Sequence, residues 1–195
     1  MSTINAITSP APAIVTTVDS TGNLVMQAVN SIQLQSGSNT ATMPAAAGTV
    51  MVSGNMPTFS AYLNTNQALT VNTATKVQCN TKEWDTASCY DNATNYRFTP
   101  NVAGYYQVSG GITSQADCYA WVAVYKNGSL WKYLFDSYNA SASGTNVRKA
   151  FGSCLVYLNG STDYIELYAT IGASENIQGA NNALTYFQGA LVRSA

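Results

Sequence analysis

The chain has 195 residues, enough for one sizeable domain and a smaller appendage. Only 9% of them are charged, with a formal net charge of −1, against roughly 25% charged residues in an ordinary globular domain; no basic field for nucleic acid and no polybasic patch for a membrane surface is present. Histidine is absent, which removes the usual general base and metal ligand and every Ser-His-Asp or Cys-His arrangement.

Residues 1–17 are rich in Pro, Ala and Thr, lack periodicity, and read as an extended arm. The start MSTINAITSPAPAIV has neither a basic region nor a continuous apolar core, so no signal peptide is expected and synthesis in a cytoplasm is. No run approaches the roughly 20 apolar residues of a spanning helix, so no membrane insertion is expected. Residues 19–34 alternate, with Leu24, Met26, Ala28, Ile32 and Leu34 on one side, which is strand patterning. A turn over 36–39 and short strands over 40–43 and 49–52 follow. Short strands in a segment of this size cannot bury a core alone, so residues 1–56 are expected to lean on partner chains. Their GNLVMQ and AAAGTVMVSGN segments resemble the shaft or virion-attachment regions of bacteriophage fibre and appendage proteins.

From residue 57 the pattern changes. Strands are predicted over 57–63 (PTFSAYL), 75–80 (TKVQCN), 96–100 (YRFTP) and 105–114 (YYQVSGGITS), with a polar loop or short edge strand carrying Trp84 and Tyr90 between the second and third. Pro100 and Gly104 punctuate a turn: proline lacks a ladder donor and glycine permits a close or left-handed approach. Residues 119–136 form a hairpin, because Asn127-Gly128 between two apolar runs supplies the positive φ values that a tight turn needs. Strands over 150–161, 163–170 and 184–194 complete the set, and no long 3.6-residue period appears. The hairpin is apolar on both faces, Tyr119, Trp121, Ala123 and Tyr125 on one and Ala120, Val122 and Val124 on the other. That asks for a second burial partner, another sheet or another subunit, or for a larger monomeric core.

The spaced residues Asp85, Tyr90, Phe98 and Gly104-x-Tyr106 resemble the aromatic pattern of the globular head of complement one-q, a member of the tumour-necrosis-factor-like jelly rolls. LVYLNGSTDYIEL (155–167) is similar to that family's strand-turn-strand, and Tyr186-Phe187-x-Gly189 to its last strand. The chain departs from the pattern where Cys79 and Val108 stand in aromatic positions and where one extra residue separates Tyr90 from Phe98. The match covers about residues 57–195. It implies an all-β jelly-roll sandwich, residues 57–195, behind an N-terminal extended β arm or shaft, residues 1–56, and a compact homotrimer with apolar residues on its threefold axis. Phe59, Tyr106, Tyr186 and Phe187 are the expected subunit-interface residues, the interior of one sandwich being the alternative for Tyr106 and Phe187.

The four cysteines, Cys79, Cys89, Cys118 and Cys154, lack zinc-ligand spacing. They read as free thiols, leaving open a bridge between Cys89 and Cys118 in an oxidising medium. Glu83, Asp85 and Asp91 are close in sequence; loop capping is their first reading and a weak calcium site the second. No catalytic residue, no metal ligand and no cofactor is assigned. The four Asn-x-Ser/Thr triplets, at Asn92, Asn127, Asn139 and Asn159, are expected by chance in so Asn- and Ser-rich a chain. The functional expectation is a non-enzymatic trimeric phage virion protein of tail-fibre or receptor-binding type. Residues 1–56 would join other virion proteins, and the head would contact a host cell-surface glycan or protein through Trp84, Tyr90, Tyr138 and Asn139. The alternative is a structural decoration or cement protein on a capsid or tail.

Overall fold

In the computed structural model the described residues are 56–137 and 147–195, with the backbone of four short strands before them. The chain divides into two compact units, Met1–Thr49 and Val50–Ala195. In the first, β1 (Thr16–Val18) pairs antiparallel with β2 (Leu24–Met26), and β3 (Gln33–Ser36) with β4 (Asn39–Thr42). The alternation over 19–34 is thus divided between β2 and β3. The strand expected over 49–52 lies outside the described residues.

The second unit is an antiparallel sandwich; among its described residues there is no helix. Its strands are β5 (Thr58–Tyr62), β6 (Gln67–Ala68), β7 (Thr75–Lys76), β8 (Thr81–Asp85), β9 (Tyr90–Asp91), β10 (Arg97–Phe98), β11 (Ala103–Cys118), β12 (Ala120–Lys126), β13 (Ser129–Asp136), β14 (Val147–Asn159), β15 (Ile165–Ile171), β16 (Asn176–Ile177) and β17 (Tyr186–Ser194). One sheet runs β13-β12-β15-β10-β9, with β7 also on β15; the other runs β8-β5-β17-β11-β14, extended by β16 and β6. Apart from the β12–β13 hairpin, the long strands switch sheet from one to the next, β11, β14 and β17 in one and β12, β13 and β15 in the other.

Period-two alternation decides what goes inside. In β11, Tyr106, Val108 and Ile112 are buried while Tyr105, Gln107 and Ser109 turn outward. In β14, Cys154, Val156 and Leu158 are buried; in β17, Phe187, Gly189 and Leu191 are. The other sheet answers with Val122, Val124, Ile165, Leu167, Ala169 and Ile171. At the centre five aromatic rings meet. Phe59 stacks on Phe98 at 4.3 Å between centroids and on Tyr90 at 5.0 Å, meets Phe187 edge-on at 5.1 Å, and Phe98 meets Tyr106 at 5.6 Å. Both tyrosines keep their hydroxyls satisfied. Tyr106 donates to the Val102 carbonyl at 2.6 Å and Tyr90 to the Cys79 carbonyl at 3.1 Å.

The hairpin forms where the sequence placed it. Asn127 and Gly128 have φ of 52° and 77°, and Lys126 pairs with Ser129 across them. Its doubly apolar character has a local explanation. Ala120, Val122 and Val124 point into the core, while on the outer face Trp121 packs edge-on against Tyr133 at 5.4 Å and Tyr125 stacks on Tyr168 at 4.0 Å. Neighbouring strands of the same sheet, not a further sheet, cover those rings. Gly104 lies inside β11 rather than in the turn, and an added Cβ there would overlap the Arg193 carbonyl of β17. The four cysteines are all buried free thiols, Cys118 at the end of β11 and beside the Ser114 hydroxyl.

Replacing Phe59 by Ala is expected to lower the unfolding free energy by about 3–5 kcal/mol, the cost of a large cavity at the centre of the ring cluster. Tyr106→Phe is expected to cost about 1 kcal/mol, since it strips the hydroxyl from a buried carbonyl while keeping the ring. Urea unfolding of the two variants measures both.

Candidate binding surface

Three of the residues expected between subunits are inside one chain. Phe59 is 1% exposed, and Tyr106 and Phe187 are 0% exposed. A side chain with no surface has none to give to a second copy, so these belong to the core, and a charge at Phe187 would unfold the head before it parted any subunits. Tyr186 is half-buried on the outer face of the β5-β17-β11-β14 sheet, between Tyr62 and Gly111. Tyr90, expected at the surface, is also buried; burial pushes its hydroxyl well above the usual tyrosine range, and it anchors the loop over Cys79. Trp84 is exposed on β8, its indole N–H donating to the Thr58 hydroxyl at 3.3 Å. Tyr138 and Asn139 lie outside the described residues.

The carboxylates act on loops. Asp91 accepts from the backbone N–H groups of Thr94, Ala93 and Asn95 and is held well below the usual carboxylate range by those bonds. Asp85 accepts from the N–H groups of Cys89 and Tyr90 and pairs with Lys82 at 3.1 Å. Glu83 takes hydrogen bonds from the Ser60 hydroxyl and the Asn182 amide, which hold its carboxyl low. Asp163 is lowered by the Asn127 amide and Lys126, and so ties the hairpin tip to the turn after β14. Of the Asn-x-Ser/Thr asparagines, Asn92, Asn127 and Asn159 each use their side chains in such bonds.

The outer face of the β8-β5-β17-β11-β14 sheet carries what the sequence reading missed. Its cross-strand rows read Tyr62, Tyr186, Gly111 and Phe151; then Ser60, Gln188, Ser109 and Ser153; then Thr58, Ala190, Gln107 and Leu155; then Tyr105 and Tyr157, with the exposed Arg193 opposite Tyr105 on β17. Apolar rows thus bracket a polar, small-residue middle. Phe151 stays 61% exposed and Leu155 55%, and Tyr105 and Tyr157 lie 5.5 Å apart beside exposed Val192. Lys126 bonds the Tyr157 carbonyl at 2.8 Å and sits 5.7 Å from the rings of both Tyr157 and Trp131, carrying the apolar surface round the sandwich edge onto β13. Leu155, Tyr105, Tyr157 and Val192 gather toward one end of this face and Phe151 toward the other, and exposed apolar groups of this kind mark contact sites. The signal was present in sequence, since each of these residues flanks an inward one.

No family model and no curated protein sequence matches the chain. Solved structures do. Murine APRIL at pH 8.0 superposes with a TM-score of 0.51 at 8% identity, over 70% of this chain and 99% of that one. Murine APRIL at pH 5.0 superposes with a TM-score of 0.50 at 9% identity over the same shares. Eiger TNF from S. frugiperda superposes at 0.49 with 13% identity, over 72% and 93%. At such identities the likeness is one of fold, and the fold is the all-β jelly roll that the sequence resemblance implied.

Stability is expected to be level from about pH 5 to pH 8, because nothing with a histidine's pKa titrates there. Asp91, Asp163 and Glu83 have depressed folded-state pKa values, so their contribution is present above the unfolded carboxylate range, about 4, and is lost as pH falls below it. Burial raises the Cys79 thiol, so stability falls again above about pH 8.5, where the unfolded chain's thiol ionises and the folded one does not. Denaturation midpoints measured across this range check the shape; a dip near pH 6.5 contradicts it.

Proposed function

We propose that the chain is a non-enzymatic, homotrimeric bacteriophage virion protein of the tail-fibre or receptor-binding type. Residues 1–56 attach it to the particle and the jelly-roll head contacts the host surface. The observation that carries the assembly is the exposed band of Tyr105, Phe151, Leu155, Tyr157 and Val192 on one sheet face. In a chain with 9% charged residues, a patch of this size left in water favours aggregation, and closed symmetry with further copies of the chain covers it without leaving an open edge. The virion assignment rests on the first 56 residues and their likeness to phage shaft and attachment segments.

The direction of the head supports a surface contact. The chain enters at Pro57, whose carbonyl accepts from the Leu191 N–H at 3.0 Å. At the opposite end β13 finishes at Asp136 and β14 begins at Val147, which pairs with Cys118. Thr58 and Ala190 share a cross-strand row with Gln107 near the start of β11, whereas Val147 lies opposite its last residue, Cys118. A decoration or cement protein on a capsid or tail is the second reading, in which the exposed apolar band seats the head against neighbouring subunits of the shell.

Light scattering on the full chain is expected to return three copies of the 20.7 kDa chain. Leu155→Asp is expected to yield monomer or precipitate with its fold retained, whereas Asn139→Asp leaves the assembly intact. A stable wild-type monomer at micromolar concentration defeats the trimer.

Deletion of residues 1–54 is expected to leave a soluble, folded head that no longer joins the particle. Immunogold labelling of virions made with the truncated and whole chains reads this out, and also separates a tail tip from a shell location. Normal incorporation of the truncated head contradicts the attachment role.

A further inference from the structure

Between the two apolar rows of the outer sheet face lies a cleft of about 370 Å³, lined by Thr58, Trp84, Gln107, Ser109, Gln188 and Ala190. No lining residue is charged. Trp84 forms one wall, 49% exposed, and its orientation is fixed by the bond from Nε1 to the Thr58 hydroxyl. Thr58 is itself held, its N–H donating to Thr86 Oγ1 at 3.1 Å. The floor has the room it has because Ala190 and Ser109 are small. Among the described residues, the side-chain amides of Gln107 and Gln188 and the hydroxyl of Ser109 bond to no other part of the chain. Gln188 stands opposite Ser109 on one side and Ser60 on the other; directly opposed positions in such a sheet are about 4.5–5.5 Å apart.

We infer that this cleft is a binding site for a neutral saccharide, one pyranose ring lying against the Trp84 indole with its hydroxyls on Gln107, Gln188 and Ser109. The inference rests on the host-contact reading and names the ligand class and the place. A pyranose has an apolar C–H face and a rim of hydroxyls that both donate and accept. The cleft offers the complement, a rigid aromatic face and amides that present donors and acceptors together. An apolar partner fits poorly, because seating it would bury two free amides without partners. An anionic ligand finds no cation in the lining, and Glu83 lies on the same edge, bonded to Ser60 and Asn182.

The test is saturation-transfer NMR on the full chain with the methyl glycosides of glucose, galactose, mannose and N-acetylglucosamine. At least one is expected to bind. Trp84→Ala and Gln188→Ala are each expected to weaken that binding about tenfold or more, while light scattering shows the wild-type assembly. Val71→Ala, a change of an exposed apolar residue outside both the cleft and the apolar band, leaves binding unchanged. If Trp84→Ala does not fold, Gln188→Ala decides alone. Binding that survives the cleft substitutions overturns the site. Dissociation of the assembly by both overturns it too, and makes the cleft a subunit contact. Failure of all four glycosides to bind overturns the inference as well; if the protein still adheres to host cells, the host-contact reading stands with a protein partner in place of a sugar.

Discussion

Five rings from five different strands meet at the centre of the head: Phe59 of β5, Tyr90 of β9, Phe98 of β10, Tyr106 of β11 and Phe187 of β17. Two short strands of one sheet are thereby pinned to three strands of the other by side chains alone, since a two-residue strand has little ladder of its own. Offset and edge-on ring contacts add directionality to plain burial. The hydroxyls of Tyr90 and Tyr106 must then find carbonyls in the dry interior, and these are supplied by the loops at Cys79 and Val102. Asp85 and Asp91 cap the backbone on the two sides of β9, at 89–90 and 93–95, and the Asn92 amide ties that segment to the Asn80 carbonyl beside Cys79. The ring of Tyr90 and the loop whose carbonyl it uses are thus held by the same few bonds.

The same alternation that fills the core writes the outside. Because Tyr106, Val108, Val156 and Phe187 must point in, Tyr105, Gln107, Leu155 and Gln188 must point out. The outer face is then free to vary without disturbing the interior. In this chain it carries apolar rows at both ends and amides with hydroxyls between. The apolar band and the polar cleft therefore share β11 and meet at the Gln107↔Leu155 pair.

Much of the architecture was legible in the residues. Asn127-Gly128 announced its hairpin through the backbone conformation it favours, and Tyr90, Phe98, Tyr106 and Phe187 marked a known pattern because they are the core itself. That is also why the pattern misplaced the contact residues: residues constrained by packing identify a fold and say little of its contacts. Period two sorts a strand into two faces, but where both are apolar it does not say which is inside. Tyr105-Tyr106 and Tyr186-Phe187 each offered two aromatic choices, and the members chosen for an interface were mostly those facing inward. Burial of Trp121 and Tyr125 by Tyr133 and Tyr168 depends on strand order, which the spacing of residues does not contain. The cleft depends on register across β5, β17 and β11, strands far apart in the chain.

β5, where the chain enters the head, is hydrogen-bonded on both flanks, to β17 from Thr58↔Ala190 through Tyr62↔Tyr186 and to β8 on the other side. Inter-strand bonds in antiparallel ladders lie across the strand direction. A tether pulling on Pro57 while the opposite end of the head is held therefore loads both ladders in shear, many bonds at once. A force that drew Pro57 and Ala195 apart would act differently, because Thr58 and Ala190 are opposed near both chain ends and the ladder would open one bond at a time. The head is mechanically polar: it resists tension applied along β5 at Pro57 and yields to peeling between Pro57 and Ala195.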